Sequence, residues 1–265
     1  MLDQSRIDEL GDMLFNAQRT RRPMEKIAAL EPTSTLEDAY RIQSRMIARR
    51  VGDGETIIGK KIGLTSKAIQ DALGVYQPDF GQLTDAMLFK DGDTIDLSRL
   101  MHPRAEGELA FVLKEDLNGP GITATDVLRA TDYVVPCFEV VDTRFPDWKI
   151  AIQDTVADNA SCGVFVLGQE KVDPRDVDLR MAGLVVTKND DVAATGCGAA
   201  VQGSPLNAVA WLANMLGSLG IPFKAGEVIL SGAQAALVDV ADGDTLSCEI
   251  AGMGKCSVTF AGKAL

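Results

Sequence analysis

Three glutamates standing in apolar, strand-like segments set the tightest limit on how this chain can fold. Glu106 and Glu108 lie two apart in ArgAlaGluGlyGluLeuAlaPheValLeu (104–113), and Glu139 lies in TyrValValProCysPheGluValValAsp (133–142). Residues two apart on a strand share a face, ~7 Å apart along the chain. Here that face continues through Ala110 and Val112 into a stretch that reads as core. Residues 133–141 do not show the polar-out alternation of a solvent-facing strand. Buried carboxylates are strongly unfavourable unless they meet a cation or a dense set of donors. Two arrangements meet that need: ion pairs, with Arg104 and Arg144 as candidate partners, or convergence on a hard divalent metal. One Glu-x-Glu pair alone favours ion pairing or an exposed edge strand; the third glutamate moves the balance toward the metal.

The charge balance narrows the partners. With 26 basic and 38 acidic residues the chain carries −12, which argues against nucleic acid or an anionic membrane surface as its main partner. The start, MetLeuAspGlnSerArgIleAspGlu, has no basic segment followed by an apolar run, and no stretch approaches the ~18 apolar residues of a membrane span. A cytoplasmic protein is expected. The five cysteines are scattered and never spaced Cys-x-x-Cys, so reduced thiols are expected rather than a disulfide framework or a zinc site. A single histidine, His102, leaves Ser-His-Asp and Cys-His catalysis resting on one residue and rules out poly-histidine metal sites.

Along the chain, residues 3–50 read as helical, with Ile7, Leu10, Met13 and Leu14 in one stripe and Ala39, Ile42, Met46 and Ile47 in another, separated by Pro23 and Pro32. Ser34 or Thr35 is positioned to cap the second helix, with Glu37 or Asp38 in its first turn. From residue 55 short apolar runs broken by Gly, Pro and Asp take over. They include 56–63, 86–89, 108–113, 133–141, 162–168, 184–187, 227–232, 244–250 and 256–260 as strand candidates. A helix is expected over about 205–219, with Pro205 in its first turn and Gly220 at its end. AspGlyAspThr at 91 and 242 reads as a turn each time, since neither continues into an EF-hand. The expected class is α+β: an N-terminal helical region over 1–54 and a β-rich catalytic domain over 55–265.

Three further segments are polar for their surroundings. GlyLysLysIleGlyLeuThrSer (59–66) places Lys60 and Lys61 on opposite faces of a strand, so one of them should point inward, either as an acid or base near a metal or as a packed stem with a wet ammonium. AspThrValAlaAspAsnAlaSerCysGly (154–163) offers hydroxyl and amide donors to a carboxylate or carbonyl, or builds a turn before the next strand. GlnProAspPheGly (77–81) reads by itself as a loop with Asp79 in a turn.

Together, GlyLysLysIleGlyLeuThrSer, GlnProAspPheGly, ProArgAlaGluGlyGluLeuAlaPhe, ProCysPheGluValValAsp and ValAlaAspAsnAlaSerCysGly resemble the hydratase and decarboxylase family of catechol meta-cleavage pathways, within the fumarylacetoacetate hydrolase superfamily. The likeness is nearest to the 2-hydroxypenta-2,4-dienoate (2-oxopent-4-enoate) hydratases and extends over nearly the whole chain. It implies a mixed β-roll or sandwich holding Mg²⁺ or Mn²⁺. The three acidic ligand positions of the family fall on Glu106, Glu108 and Glu139, its active-site lysine on Lys61, and further pocket positions on Asp79 and Ser161. Hydratases of the family tend to carry an aspartate where decarboxylases have an apolar residue, which fits Asp79. The implied reaction adds water to the dienoate to give 4-hydroxy-2-oxopentanoate, with Lys61 and Asp79 moving protons, Asp79 activating water, and Ser161 with neighbouring amides, Asn159 among them, holding the carboxylate. The resemblance also implies a homo-oligomer and a possible complex with the pathway's 4-oxalocrotonate decarboxylase. Rival readings are that decarboxylase activity itself, a 1,3-diketone hydrolase, which would want a histidine-based base, and a non-catalytic cation-binding subunit with a closed metal site.

Overall fold

The computed structural model describes residues 1–67, 70–71 and 75–265. Its first part is a pair of long helices. Helix α1 (Gln4–Thr20) is capped by Asp3, whose carboxylate accepts from the Arg6 amide at 2.8 Å. After a short α2 (Ile27–Leu30), α3 (Leu36–Gly52) opens on a capping box in which Thr35 and Asp38 satisfy each other's backbone N–H groups. Of the two capping candidates it is therefore Thr35 that caps. The apolar stripes of α1 and α3 meet around Ile7, Leu10, Leu14, Ala39, Ile42 and Met46, and the same cluster takes in Phe145, Val156 and Ala157 from the β-rich part. Gln43 crosses the same boundary, its amide donating to the Phe80 and Val156 carbonyls at 2.9 and 2.8 Å. The helices are thus seated on the segment that carries the polar 154–163 motif.

The β-rich part holds two sheets. The larger is mixed and contains β1 (Ile57–Gly63), β2 (Asp79–Thr84), β3 (Leu88–Lys90), β5 (Arg104–Leu113), β6 (Thr131–Val141), β7 (Cys162–Leu167), β10 (Val228–Leu230) and β11 (Val238–Asp239), in the order β2-β1-β10-β5-β6-β7-β3 with β11 also on β5. The smaller contains β4 (Thr94–Asp96), β8 (Gly183–Lys188), β9 (Asp191–Cys197), β12 (Thr245–Ile250) and β13 (Gly254–Ala261), in the order β4-β13-β12-β8-β9. Helices α4 (Ala124–Ala130), α5 (Ile152–Ala157) and α6 (Pro205–Ser218), with four single-turn 3-10 helices among the described residues, lie between these strands. Parallel pairings of β1 with β10, β3 with β7 and β4 with β13 are closed by long connections rather than by a repeated βαβ unit, as the α+β expectation requires. No helix of the described residues is long and apolar enough to cross a membrane.

The alternation along β5 and β6 decides where the glutamates go. Ala105, Leu109 and Phe111, with Phe138 and Val140, face the main core shared with the second sheet. Gly107 lies on that same side, where an added Cβ would stand 2.8 Å from Val186 Cγ2 and 3.2 Å from Cys248 Sγ, so only glycine lets the second sheet come this close. Glu106 and Glu108 are on the other face. Along that face β5 continues into Ala110, and β6 carries Cys137 and Val135, all in a second buried apolar cluster.

Candidate metal centre and active site

Strand pairing brings the three glutamates together. Glu106 lies directly across from Glu139 in the antiparallel β5–β6 ladder, and Glu108 is opposite Cys137, one pleat further along the same face. One carboxylate oxygen from each of the three falls within 4.8 Å of the others. Glu108 and Glu139 are fully buried. Neither expected arginine partner is there: Arg104 pairs with Asp239 at 2.9 Å, and Arg144 pairs with Asp158. Glu108 Oε2 accepts from the Gly232 amide at 2.8 Å, while among the described residues Glu108 Oε1 has no partner and the buried Glu139 carboxylate has only Lys61 and the Cys162 thiol beside it. Gly232 sits at φ +110, a conformation that favours glycine, and this turns its N–H toward Glu108 just after β10.

Lys61 is the cation that enters the cluster, its Nζ 3.1 Å from Glu139 Oε1. Burial works against an ammonium there, but Glu139 and Asp79 outweigh it and hold Lys61 charged, above its ordinary value. Asp79 faces the same space, since Gly63 pairs with Asp79 and Lys61 with Gly81 across β1–β2. Burial pushes the Asp79 carboxyl up to about 6 against the pull of Lys61, and its Oδ1 has no hydrogen-bond partner among the described residues. Burial and the Glu139 charge likewise push Glu106 up to about 7 and Glu108 well above the carboxylate range. Such an array is what a strand pair produces when carboxylates face one another with too little compensating charge.

Two expectations are corrected. Asp79 is the first residue of β2 rather than part of a free turn, because the backbone beyond it pairs with β1. And of the two lysines, both are buried: Lys60 projects to the opposite face, 2.6 Å from Glu227 Oε2 and 5.1 Å above the Phe223 ring. Its ion pair and ring contact meet the need that a wet ammonium was expected to meet.

The cluster opens into a cavity of about 580 Å³. Lys61, Asp79 and Glu106 are on one side of it, and Trp148, Ile150, Ile152 and Leu237 supply apolar wall. Ser161 lines it too, its hydroxyl 3.0 Å from that of Thr155. Asn159 does not line it. Its side chain is fully buried, accepting from the Gln82 amide at 2.7 Å and donating to the Gln82 carbonyl at 2.9 Å, which fixes β2 and hence Asp79. The expectation of a substrate contact at Asn159 is therefore revised to a positioning role, since both ends of its amide are occupied by backbone. Asn159, Ala160 and Ser161 all have positive φ (56, 49 and 54°), a tight left-handed turn that carries Ser161 from α5 to the cavity wall. Residues the sequence reading passed over also arrive here: Thr155, the buried Gln234 with an unpartnered Oε1, and Gly232. The run SerGlyAlaGln at 231–234, directly after a strand, is the signal that would have pointed to the last two. His102 lies outside this cavity, its carbonyl accepting from Trp148 Nε1 at 3.0 Å.

The donor set suits a hard cation. All three convergent side chains offer oxygen, and among the described residues their three carboxylates are met by one amide, one thiol and one lysine, which does not balance them.

The chain is similar to known proteins along most of its length. The family model for the fumarylacetoacetate (FAA) hydrolase C-terminal domain matches residues 60–261. A 2-hydroxyhexa-2,4-dienoate hydratase from Comamonas testosteroni is 55% identical over 262 residues, covering 98% of this chain and 99% of its own. A 2-keto-4-pentenoate hydratase from Paraburkholderia xenovorans is 45% identical over 253 residues, covering 96% and 94%. Among solved structures, the 4-oxalocrotonate decarboxylase from Pseudomonas putida G7, complexed with magnesium and adipate, superposes with a TM-score of 0.95 at 38% identity, covering 98% of this chain and 99% of that one. Fumarylpyruvate hydrolase from Pseudomonas aeruginosa, in complex with Mn²⁺ and pyruvate, shares the fold at a TM-score of 0.61 and 15% identity, covering 77% and 89%. With the family model spanning most of its length and a relative more than half identical to it from end to end, this chain belongs to the fumarylacetoacetate hydrolase family.

Proposed function

We propose that this chain is a divalent-metal-dependent hydro-lyase that adds water to 2-hydroxypenta-2,4-dienoate (2-oxopent-4-enoate), giving 4-hydroxy-2-oxopentanoate in aromatic degradation by meta-cleavage. The observation that carries the reading is the convergence of Glu106, Glu108 and Glu139 beside a cavity that also receives Lys61 and Asp79. Relatives named as hydratases of this substrate class, matching 83–98% of the chain, support the same reaction.

Glu106, Glu108 and Glu139 would hold the metal, and Mg²⁺ or Mn²⁺ is the choice favoured by an all-oxygen donor set and by the magnesium in the decarboxylase structure. Such an ion, when bound, supplies Lewis acidity for a substrate carboxylate and 2-oxygen. The rest falls to the chain's own groups. A proton moves from the 2-hydroxyl to the fifth carbon, producing a 2-oxo-3-enoate; Lys61 relays it, its ammonium giving a proton to the carbon and the resulting amine taking the 2-hydroxyl proton, so that the charged form favoured there is restored. Water then adds its hydroxyl to the electron-poor fourth carbon and a proton to the third. Asp79, with a carboxyl near 6, is matched to take a proton from that water near neutral pH. Ser161 and Thr155 offer hydroxyls to the substrate's polar end, and Trp148, Ile150 and Ile152 keep water away from its hydrocarbon. Asn159 acts indirectly, through β2.

Decarboxylation of 4-oxalocrotonate is the second reading, favoured by the close superposition on that decarboxylase; Asp79 and the higher identity to hydratases weigh against it. A closed, non-catalytic cation site is disfavoured because Glu106 lines the cavity. A cytoplasmic homo-oligomer, a complex with the pathway's decarboxylase, and a division into a helical region over 1–54 and a catalytic domain over 55–265 complete the proposal. The deciding experiment incubates purified protein with Mg²⁺ and freshly generated 2-hydroxypenta-2,4-dienoate and follows loss of the diene absorbance, with product analysis. Hydration is expected, and Asp79→Asn should slow it more than ketonisation. No hydration, with carbon dioxide released from 4-oxalocrotonate instead, overturns the reading.

A further inference from the structure

A second cavity, of about 200 Å³, lies behind the wall of the first. Val141 and Ser161 face the glutamate cavity, whereas Asp142, Arg144 and Gly163, next to them on the same two segments, line the second. Its lining is dominated by guanidinium groups, those of Arg19, Arg21, Arg50, Arg99 and Arg144, against the carboxylates of Glu55 and Asp142.

Most of these charges are already matched. Arg50 pairs with Glu55 at 2.7 Å, Arg19 with Glu55 and Asp53 at 3.0 and 3.3 Å, and Arg144 with Asp158. Asp142 spends its oxygens on the Met101 and His102 amides. Arg21 and Arg99 are different: among the described residues neither has a carboxylate within ion-pair distance. Arg21 Nε is buried without any partner, and the Arg21 guanidinium reaches only the Leu100 carbonyl, at 3.4 Å. Arg99 lies over the Phe89 ring, 5.3 Å from its centroid. Asp96, the carboxylate whose charge both arginines feel, is spent on the Ser98 amide.

We propose that this cavity binds a small oxyanion of charge near −2, of the phosphate, sulfate or short dicarboxylate class, on Arg21 and Arg99 with Arg50 and Arg144 beneath. Guanidinium forks match oxyanion edges with paired, charge-assisted bonds, and a buried Nε without a partner is a donor waiting for an acceptor. The size selects too. At ~30 Å³ per water, the space holds one such ion with a few waters and excludes a nucleotide or a peptide segment. Solvent reaches it at the exposed Arg19 and Arg99, while Arg50 and Arg144 form its buried floor.

The test is a titration of the Mg²⁺-loaded protein with inorganic phosphate, followed by ³¹P shift and by thermal midpoint, with succinate as a second arm to separate a phosphate from a dicarboxylate site. Saturable binding is expected, weakened about tenfold in Arg21→Gln and in Arg99→Gln, as loss of one charge-assisted contact implies. Both variants should keep basal turnover, which separates lost binding from lost folding. Glu106→Gln should bind phosphate as the parent does. Binding lost in Glu106→Gln but retained in Arg21→Gln would place the anion on the metal cluster and overturn the proposal. So would equal affinity in parent and arginine variants, or no saturable binding of either anion.

Discussion

Two buried charge clusters lie a few residues apart at the end of β6, and they obey opposite rules. Arg144 and Asp158 form a closed one: the Arg144 amide donates to Asp158 Oδ2 at 2.9 Å, its Nε to Oδ1, and its Nη2 and Nη1 to the Asp158 and Cys162 carbonyls at 2.6 and 3.1 Å. Burial works against the guanidinium, but Asp158 and Asp142 outweigh it and hold Arg144 charged. Glu106, Glu108, Glu139, Lys61 and Asp79 form the open one, in which Lys61 is the one cation among the described residues and Glu108 Oε1 and Asp79 Oδ1 have no partner there. A closed cluster ties segments together; here it locks residue 144 to the turn that presents Ser161. An open cluster is expensive unless something else arrives, and that residual need marks the site more reliably than burial or charge alone.

The largest expected effect breaks the open cluster by removing one ligand. Glu139→Gln is nearly isosteric and should reduce metal-dependent turnover about 10³-fold, the loss of several kcal/mol of charge stabilisation. Because it also removes a carboxylate from an over-crowded array, in which Lys61 keeps Asp79 and Glu106 as counter-charges, the metal-free protein should be as stable as the parent or more so. Turnover and urea unfolding measured on the same preparation check both halves; full activity, or a collapse in stability, would erase the distinction drawn between the clusters.

Breaking the closed cluster should do the reverse. Arg144→Met strands the Asp158 carboxylate in a fully buried position, with an expected cost of about 3–5 kcal/mol. Adding Asp158→Leu should recover much of it, since the uncompensated charge goes with the second change. Urea unfolding of single and double variants gives the coupling. A single-variant cost below about 1 kcal/mol, typical of exposed pairs, would mean that the pair is not closed in solution.

How much of this was legible beforehand follows the range of the interactions. The glutamate face, the helical stripes of α1 and α3 and most of the central strands rest on periodicity within one segment, and they were readable. Thr35 could be narrowed only to one of two caps, because cap choice depends on where the helix starts. β9, with exposed Asp191, Val192 and Ala193, has no apolar face to announce it, and β2 becomes a strand only because β1 comes to lie beside it. The short α4 and α5 were hidden for a related reason: seven and six residues give too few turns for a stripe. Asn159 shows the limit at the site. AspAsnAlaSer promises polar groups, but whether an amide faces substrate or a neighbouring backbone depends on the three left-handed residues 159–161 and on Gln82, 77 positions away. The Lys60 and Lys61 pair shows it again, since the strand period separates their faces while Glu227 and Phe223, which bury Lys60, come from the far end of the chain.

The smallest effect sharpens the comparison through protons. Glu106 is pushed up to about 7 in the metal-free fold, from an ordinary value of 4.5. A carboxyl raised on folding binds more protons in the native than in the unfolded state between those two values, so its contribution to metal-free stability falls as pH rises through that window and stays low above it. Metal binding runs the other way, because the ligand must lose its proton first. Below about pH 7, Mg²⁺ affinity should drop about tenfold per pH unit for each proton expelled, and the stabilisation conferred by a fixed excess of Mg²⁺ should shrink by roughly 1.4 kcal/mol between about pH 8 and pH 6. The Arg144–Asp158 cluster holds no metal and cancels when midpoints with and without Mg²⁺ are subtracted at each pH. The difference between the two midpoints should therefore widen steadily from pH 6 to 8. A constant difference would mean that the glutamates are already ionised without metal and that the open cluster is less starved of positive charge than its orphaned oxygens imply.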